Sequence, residues 1–222
     1  MRLTGPGHAV FAVAVAGLGV VSLGSGDFAY VFQPVPAWVV GRPVLAYASG
    51  ALLLACGAGL LWPRAVARSS FVLAVCGVAS MLLLHAPRIV RAPLTEVEWF
   101  NLGEIAAIVA GAWILFARAA PSPAGGSREA VAGDRGVRLA RRLFALALPA
   151  FGLSHFVYTP ATAAMVPSWL PGHVAWAYVT GAAHVAAPRD VRGAPPVAPA
   201  NGTARPRAPR ARPAGTRRPR GG

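Results

Sequence analysis

Ionisable side chains are scarce in the apolar stretches of this chain. Each one found there is a candidate for chemistry, because a charge at membrane depth is costly. Glu104 is the clearest case. It stands five residues beyond Trp99 in an otherwise uncharged run, so its carboxylate would lie about 7 Å into a helix. His85 and Arg88, in the stretch L-L-L-H-A-P-R, close the preceding run on the same side, and Asp27 closes the first run there too. Asp27, His85, Arg88 and Glu104 therefore fall in one layer, where Arg88 can pair with either carboxylate. Such a layer could form a small polar pocket for a proton, a quinone head group or an anion. The plainer reading is an interfacial ion-pair cluster that pins helix ends, with Arg88 reaching the head groups along its apolar stem.

His155 and His184 offer a second chemistry, since paired histidines can hold haem or a metal ion. Counted from the ends of their runs at Tyr158 and Val174, the two sit about 10 Å apart along the helix axis. That is too far to share one ion, so no metal site is expected there. Cys56 and Cys76 lie in separate apolar runs without C-x-x-C spacing, which suits small buried side chains better than a disulfide or a metal centre. No G-x-S-x-G, G-x-x-x-x-G-K-[ST], H-E-x-x-H or dinucleotide fingerprint occurs. No catalytic residue is expected, and an enzymatic role is the less favoured one.

The elements that must position these groups follow from hydropathy. The 222 residues are 55% hydrophobic and only 13% charged, about half the charge of an ordinary soluble domain. Uncharged runs cover Leu3–Gly26, Val44–Trp62, Ser69–Pro87, Trp99–Ala117, Leu143–Tyr158 and Val174–Ala187. Hydrocarbon about 30 Å thick needs about 20 helical residues, and a backbone in lipid must satisfy its own peptide groups. The expected fold is therefore all-α, a polytopic transmembrane bundle of about six helices. No A-x-A cleavage site follows the first run, which is read as a retained span. The net charge of +14 does not point to nucleic acid: nine of the 21 arginines lie in the last 35 residues, and the remaining cations sit between spans. With the amino terminus inside, cytoplasmic segments hold Arg2, Arg64, Arg68, Arg118, Arg128, Arg135, Arg138, Arg141 and Arg142, against Arg42, Arg88 and Arg91 outside. That bias predicts a cytoplasmic amino terminus. Trp38, Trp99, Phe100, Tyr158 and Trp169 reinforce the outer boundary.

Residues 36–55 (PAWVVGRPVLAYASGALLLA) and 167–186 (PSWLPGHVAWAYVTGAAHVA) align without gaps at an offset of 131, with eight of twenty positions identical. Both copies enter a helix from the outer side, which predicts a parallel four-helix repeat whose second copy is incomplete. Small residues in A-Y-x-[ST]-G-A allow helices to approach closely. His155 and His184 correspond to Gly24 and Leu53 and so belong to no shared scaffold. The expected divisions are a first four-helix unit over 1–118, a cytoplasmic linker over 119–141, a partial second unit over 142–187 and an Arg/Pro-rich tail over 188–222. Of the last 35 residues, 29 are Arg, Pro, Ala or Gly. This change of composition suggests an out-of-frame or truncated reading; the alternative is a disordered basic tail attracted to anionic lipid.

GLGVVSLGSGDFAYVFQPVPAWVVGRPVLAYASGALLLACGAGLLW, followed by LLLHAPRIVRAP, resembles the DoxX family of bacterial membrane proteins. FGLSHFVYTPATAAMVPSWLPGHVAWAYVTGAAHVAA resembles the same family again, with its G-x-x-H-F and A-Y-x-T-G-A-x-H elements. The likeness covers roughly residues 8–117 and 142–187. It implies a multi-pass protein of the bacterial cytoplasmic membrane, with lipid and other membrane or redox subunits as partners. The family takes its name from a small subunit associated with thiosulfate:quinone oxidoreductase. The expected role is auxiliary, near quinone-linked or thiol redox processes, with quinone as the one cofactor in view. Small-solute or proton-coupled transport and a quinone-dependent oxidoreductase are the alternatives. The likeness assigns no catalytic residue.

Overall fold

The computed structural model describes residues 5–29, 32–120 and 131–188, and these are helical with no strand among them. Eight α-helices follow in order: α1 Pro6–Ser25, α2 Arg42–Leu61, α3 Val66–Ser80, α4 Ala86–Arg91, α5 Glu96–Ala119, α6 Gly133–Val157, α7 Thr159–Ala164 and α8 His173–Ala186. A π-helical turn, Met81–His85, joins α3 to α4, so that Val66–Arg91 is one continuous rod. Proline opens α1, α2 and α7, where its missing N–H costs no hydrogen bond, whereas Pro87 lies inside the continuous rod and removes one bond from its ladder.

Among the described residues four segments are long and apolar enough to cross a membrane: Pro6–Ser25, Arg42–Leu61, Val66–Arg91 and Glu96–Ala119. They correspond to the first four apolar runs. Their outward faces carry large apolar side chains such as Val10, Leu83 and Val90 in the open, as lipid-facing surfaces require. The fifth run differs from expectation. α6 begins at Gly133, inside the segment assigned to a linker, because Arg138, Arg141 and Arg142 are good helix formers and extend the rod past its apolar part. α8 has 14 residues, about 21 Å of helix. The tail from residue 189 and residues 121–130 of the expected linker lie outside the described residues.

Each helix packs mainly on its neighbour in the series α1, α2, α3, α5, α6, α8. Core residues Ala12, Val15, Cys56, Leu60, Val66, Leu73 and Ala112 fill the space between α1, α2, α3 and α5. Small residues set the spacing. A Cβ on Gly19 would strike the backbone nitrogen of Leu54 and lie 2.7 Å from the Gly50 oxygen. A Cβ on Gly152 would lie 2.6 Å from the Gly181 oxygen and 3.2 Å from the Val185 nitrogen. Gly41 and Gly172, each ahead of its helix in a P-x-W-x-x-G stretch, both take φ 73°, a left-handed backbone that a side chain would disfavour.

Candidate functional site

One end of the bundle gathers the C-terminus of α1, the N-termini of α2 and α5, the π turn with α4, and the C-terminus of α6. Asp27, just past α1, meets Arg42 at the start of α2 at 2.7 Å. Its Oδ1 also accepts the Phe28 amide at 2.6 Å, and the guanidinium lies 5.6 Å over the Phe28 ring. The Arg42 hydrogen bond, with the Phe28 amide second, holds the Asp27 carboxyl below its ordinary value.

Arg88 pairs with neither Asp27 nor Glu104, contrary to the sequence reading. It donates from Nε and Nη2 to the two oxygens of Glu98 at 2.7 and 2.9 Å. The reason is local: the short connection between α4 and α5 folds the first turn of α5 back against α4, while Arg42 occupies Asp27. This pair is half shielded, with side chains 32% and 13% exposed.

His85 is 1% exposed. Its Nε2 lies 3.3 Å from the Phe32 carbonyl oxygen, which also accepts the Ser80 hydroxyl at 2.6 Å. A carbonyl only accepts, so Nε2 carries the proton and the buried Nδ1 lone pair has no partner. The loop after α1 therefore pushes a main-chain carbonyl into the bundle end, and Gln33 beside it accepts the Ser49 hydroxyl at 2.6 Å. Below these groups a cavity of about 30 Å³ is lined by Leu18, Gln33, Leu53, Cys76, Ser80 and Ile105 among others. That volume suits one or two waters. Glu104 stands on α5 with Oε2 buried and without a hydrogen-bond partner, and it makes no ion pair among the described residues. Cys56 and Cys76 are free thiols.

The structure thus brings His85 together with Ser80 and the Phe32 carbonyl, and separates Asp27 and Arg88 into two ion pairs. Three groups that sequence reasoning did not single out complete the layer. Arg42 and Glu98 are the partners just described. Glu96 holds a buried carboxylate with the Tyr158 hydroxyl beside it. The readable signal was E-x-E in the first turn of α5, where acids also favour the helix dipole.

His155 and His184 overturn the depth argument. Their ring centroids are 5.3 Å apart, not separated by about two helical turns. The connection from Tyr158 to Gly172 contains α7, so α6 does not stop level with the start of α8. Gly181, three residues before His184, lies against the His155 Cβ. Among the described residues no group of three or more His, Cys, Asp or Glu could hold a metal ion.

Comparison with family models, curated proteins and solved structures finds no match for this chain.

Proposed function

We infer that the chain is a DoxX-like multi-pass protein of the bacterial cytoplasmic membrane with its amino terminus inside. In this reading it serves as a non-catalytic auxiliary subunit of a quinone-linked or thiol redox assembly. One observation carries the auxiliary role. Most of the outer polar side chains pair among themselves, Asp27 with Arg42, Arg88 with Glu98, and Ser80 with His85 on Phe32. Pairs of this kind hold helix ends together. The bundle's exposed apolar faces suit lipid and neighbouring membrane subunits.

The duplicated architecture belongs to the same proposal, with α6 and α8 as a partial second unit. Its support is a similar contact: Gly19 approaches Gly50 and Leu54, and Gly152 approaches Gly181 and Val185; the partners on α2 and α8 are offset by the 131 residues of the sequence alignment, while the two approaching glycines lie two residues out of that register. The four spans need no such support.

A second reading, proton-coupled or small-solute transport, is favoured by the buried, unpartnered Oε2 of Glu104. Purification in mild detergent, with lipid extraction for quinone and solute uptake in vesicles, separates the readings. The auxiliary role predicts that Glu104→Gln and His85→Ala change neither. Altered uptake in Glu104→Gln supports transport, and loss of bound quinone in either variant supports a redox enzyme.

A further inference from the structure

His155 and His184 are titratable side chains that the outer layer does not use, and their geometry is that of a ligand pair. α6 and α8 are antiparallel: along α6 from Phe151 to Phe156, the facing residues on α8 descend from His184 to Tyr178. A helical side chain leans toward its own N-terminus, so on antiparallel neighbours the two leans converge. Both imidazoles do this. Nδ1 of His155 lies 2.7 Å from the Phe151 oxygen and Nδ1 of His184 lies 2.8 Å from the Thr180 oxygen, each four residues back. Carbonyls only accept, so both Nδ1 atoms are protonated and both Nε2 atoms keep their lone pairs. An Nδ1–H bond to a backbone carbonyl is the outer-shell contact that fixes the tautomer of metal-bound histidine.

The spacing agrees. Two imidazole nitrogens each ~2.0–2.1 Å from one ion at a tetrahedral angle put ring centroids about 5 Å apart, and the observed value is 5.3 Å. Gly181 makes the approach feasible, since a Cβ there would lie 3.0 Å from the His155 Cβ. Both histidines are half-buried, which leaves a route in.

We propose that His155 and His184 are the two protein ligands of an open site for a borderline divalent transition-metal ion of the zinc class. Imidazole suits such ions, and the remaining positions are taken by water or an incoming ligand. With no third side-chain ligand from His, Cys, Asp or Glu among the described residues, the ion is exchangeable and not structural.

Full-length protein in detergent, titrated with zinc chloride and analysed for metal after equilibrium dialysis, is expected to hold one Zn²⁺ per chain. Affinity should fall at least ~10-fold in His155→Ala and in His184→Ala, and should be unchanged in His173→Ala. Because alanine at either position could loosen the α6–α8 contact, a second measurement uses the unaltered chain. Diethyl pyrocarbonate labelling read by peptide mass spectrometry should show Zn²⁺ shielding His155 and His184 while His173 stays reactive. Absence of stoichiometric uptake, undiminished uptake in the double variant, or no shielding at saturating Zn²⁺ overturns the proposal.

Discussion

Gly17 and Gly19 lie two residues apart on α1 and face opposite surroundings, so alanine at each should move stability in opposite directions. At Gly17 a new Cβ meets nothing within 4 Å; the change removes backbone freedom and gains up to about 1 kcal/mol of helix propensity. At Gly19 the same methyl would sit 2.7 Å from the Gly50 oxygen, where ordinary contact begins at 3.4 Å, and closer still to the Leu54 nitrogen. Both obstacles are backbone, so α1 and α2 must part by at least the difference of those distances. A gap of about 0.5–1 Å forfeits a quarter to a half of each dispersion contact along the seam. Overpacking of this kind costs about 1–3 kcal/mol, and the upper half of that range is expected here because no side chain can swing aside. The assay is thermal or denaturant unfolding in detergent, followed by reaction of a thiol probe with Cys56, buried in this interface. A Gly19→Ala protein as stable as wild type, or a Gly17→Ala protein equally damaged, would refute the close-contact account of the bundle.

Glu98→Gln should destabilise by about 1–2 kcal/mol, between the values for exposed and fully buried pairs, since Arg88 then faces a neutral group. A double-mutant cycle with Arg88→Met isolates the coupling, and a coupling near zero counts against it. Ser80→Ala removes one of the two donors on the Phe32 carbonyl and should cost ~1 kcal/mol by the same unfolding assay. Asp27 titrates below its ordinary value in the folded chain. Its contribution is therefore complete above 3.8 and is lost as the pH falls through the lower folded value. Asp27→Asn should flatten that part of the melting-temperature profile, and an unchanged acid limb in the variant would disprove the assignment.

The four spans were legible because twenty apolar residues in a row leave few alternatives, and their limits moved by only a few residues. The polar layer was legible as a layer, since Asp27, His85, Arg88 and Glu104 all fall near run ends. Its wiring was not. Arg88 chose Glu98 because of how tightly residues 92–95 turn, which spacing alone does not report. The acceptor shared by Ser80 and His85 is a main-chain oxygen of Phe32, and sequence patterns describe side chains. The distance between His155 and His184 was misjudged for two reasons: α8 starts beyond the end of α6, so that Tyr178 and not the first residue of α8 faces Phe156, and counting Cα heights ignores the lean of side chains on antiparallel neighbours.

The π turn has a consequence for how the chain can vary in length. Ser80 and His85 are five apart, which on an ordinary α-helix would set them about 140° around the axis from one another. The wide turn, closed by the Ala86 amide on the Met81 oxygen, restores them to one face and lets both reach Phe32. A chain lacking one residue between them would reach the same carbonyl by regular winding, with Arg88 and all that follows left in phase. Elsewhere in these spans a single-codon deletion turns the rest of the helix by about 100° and exchanges lipid-facing for buried positions. Within Met81–Leu84 the same deletion only relaxes the coil.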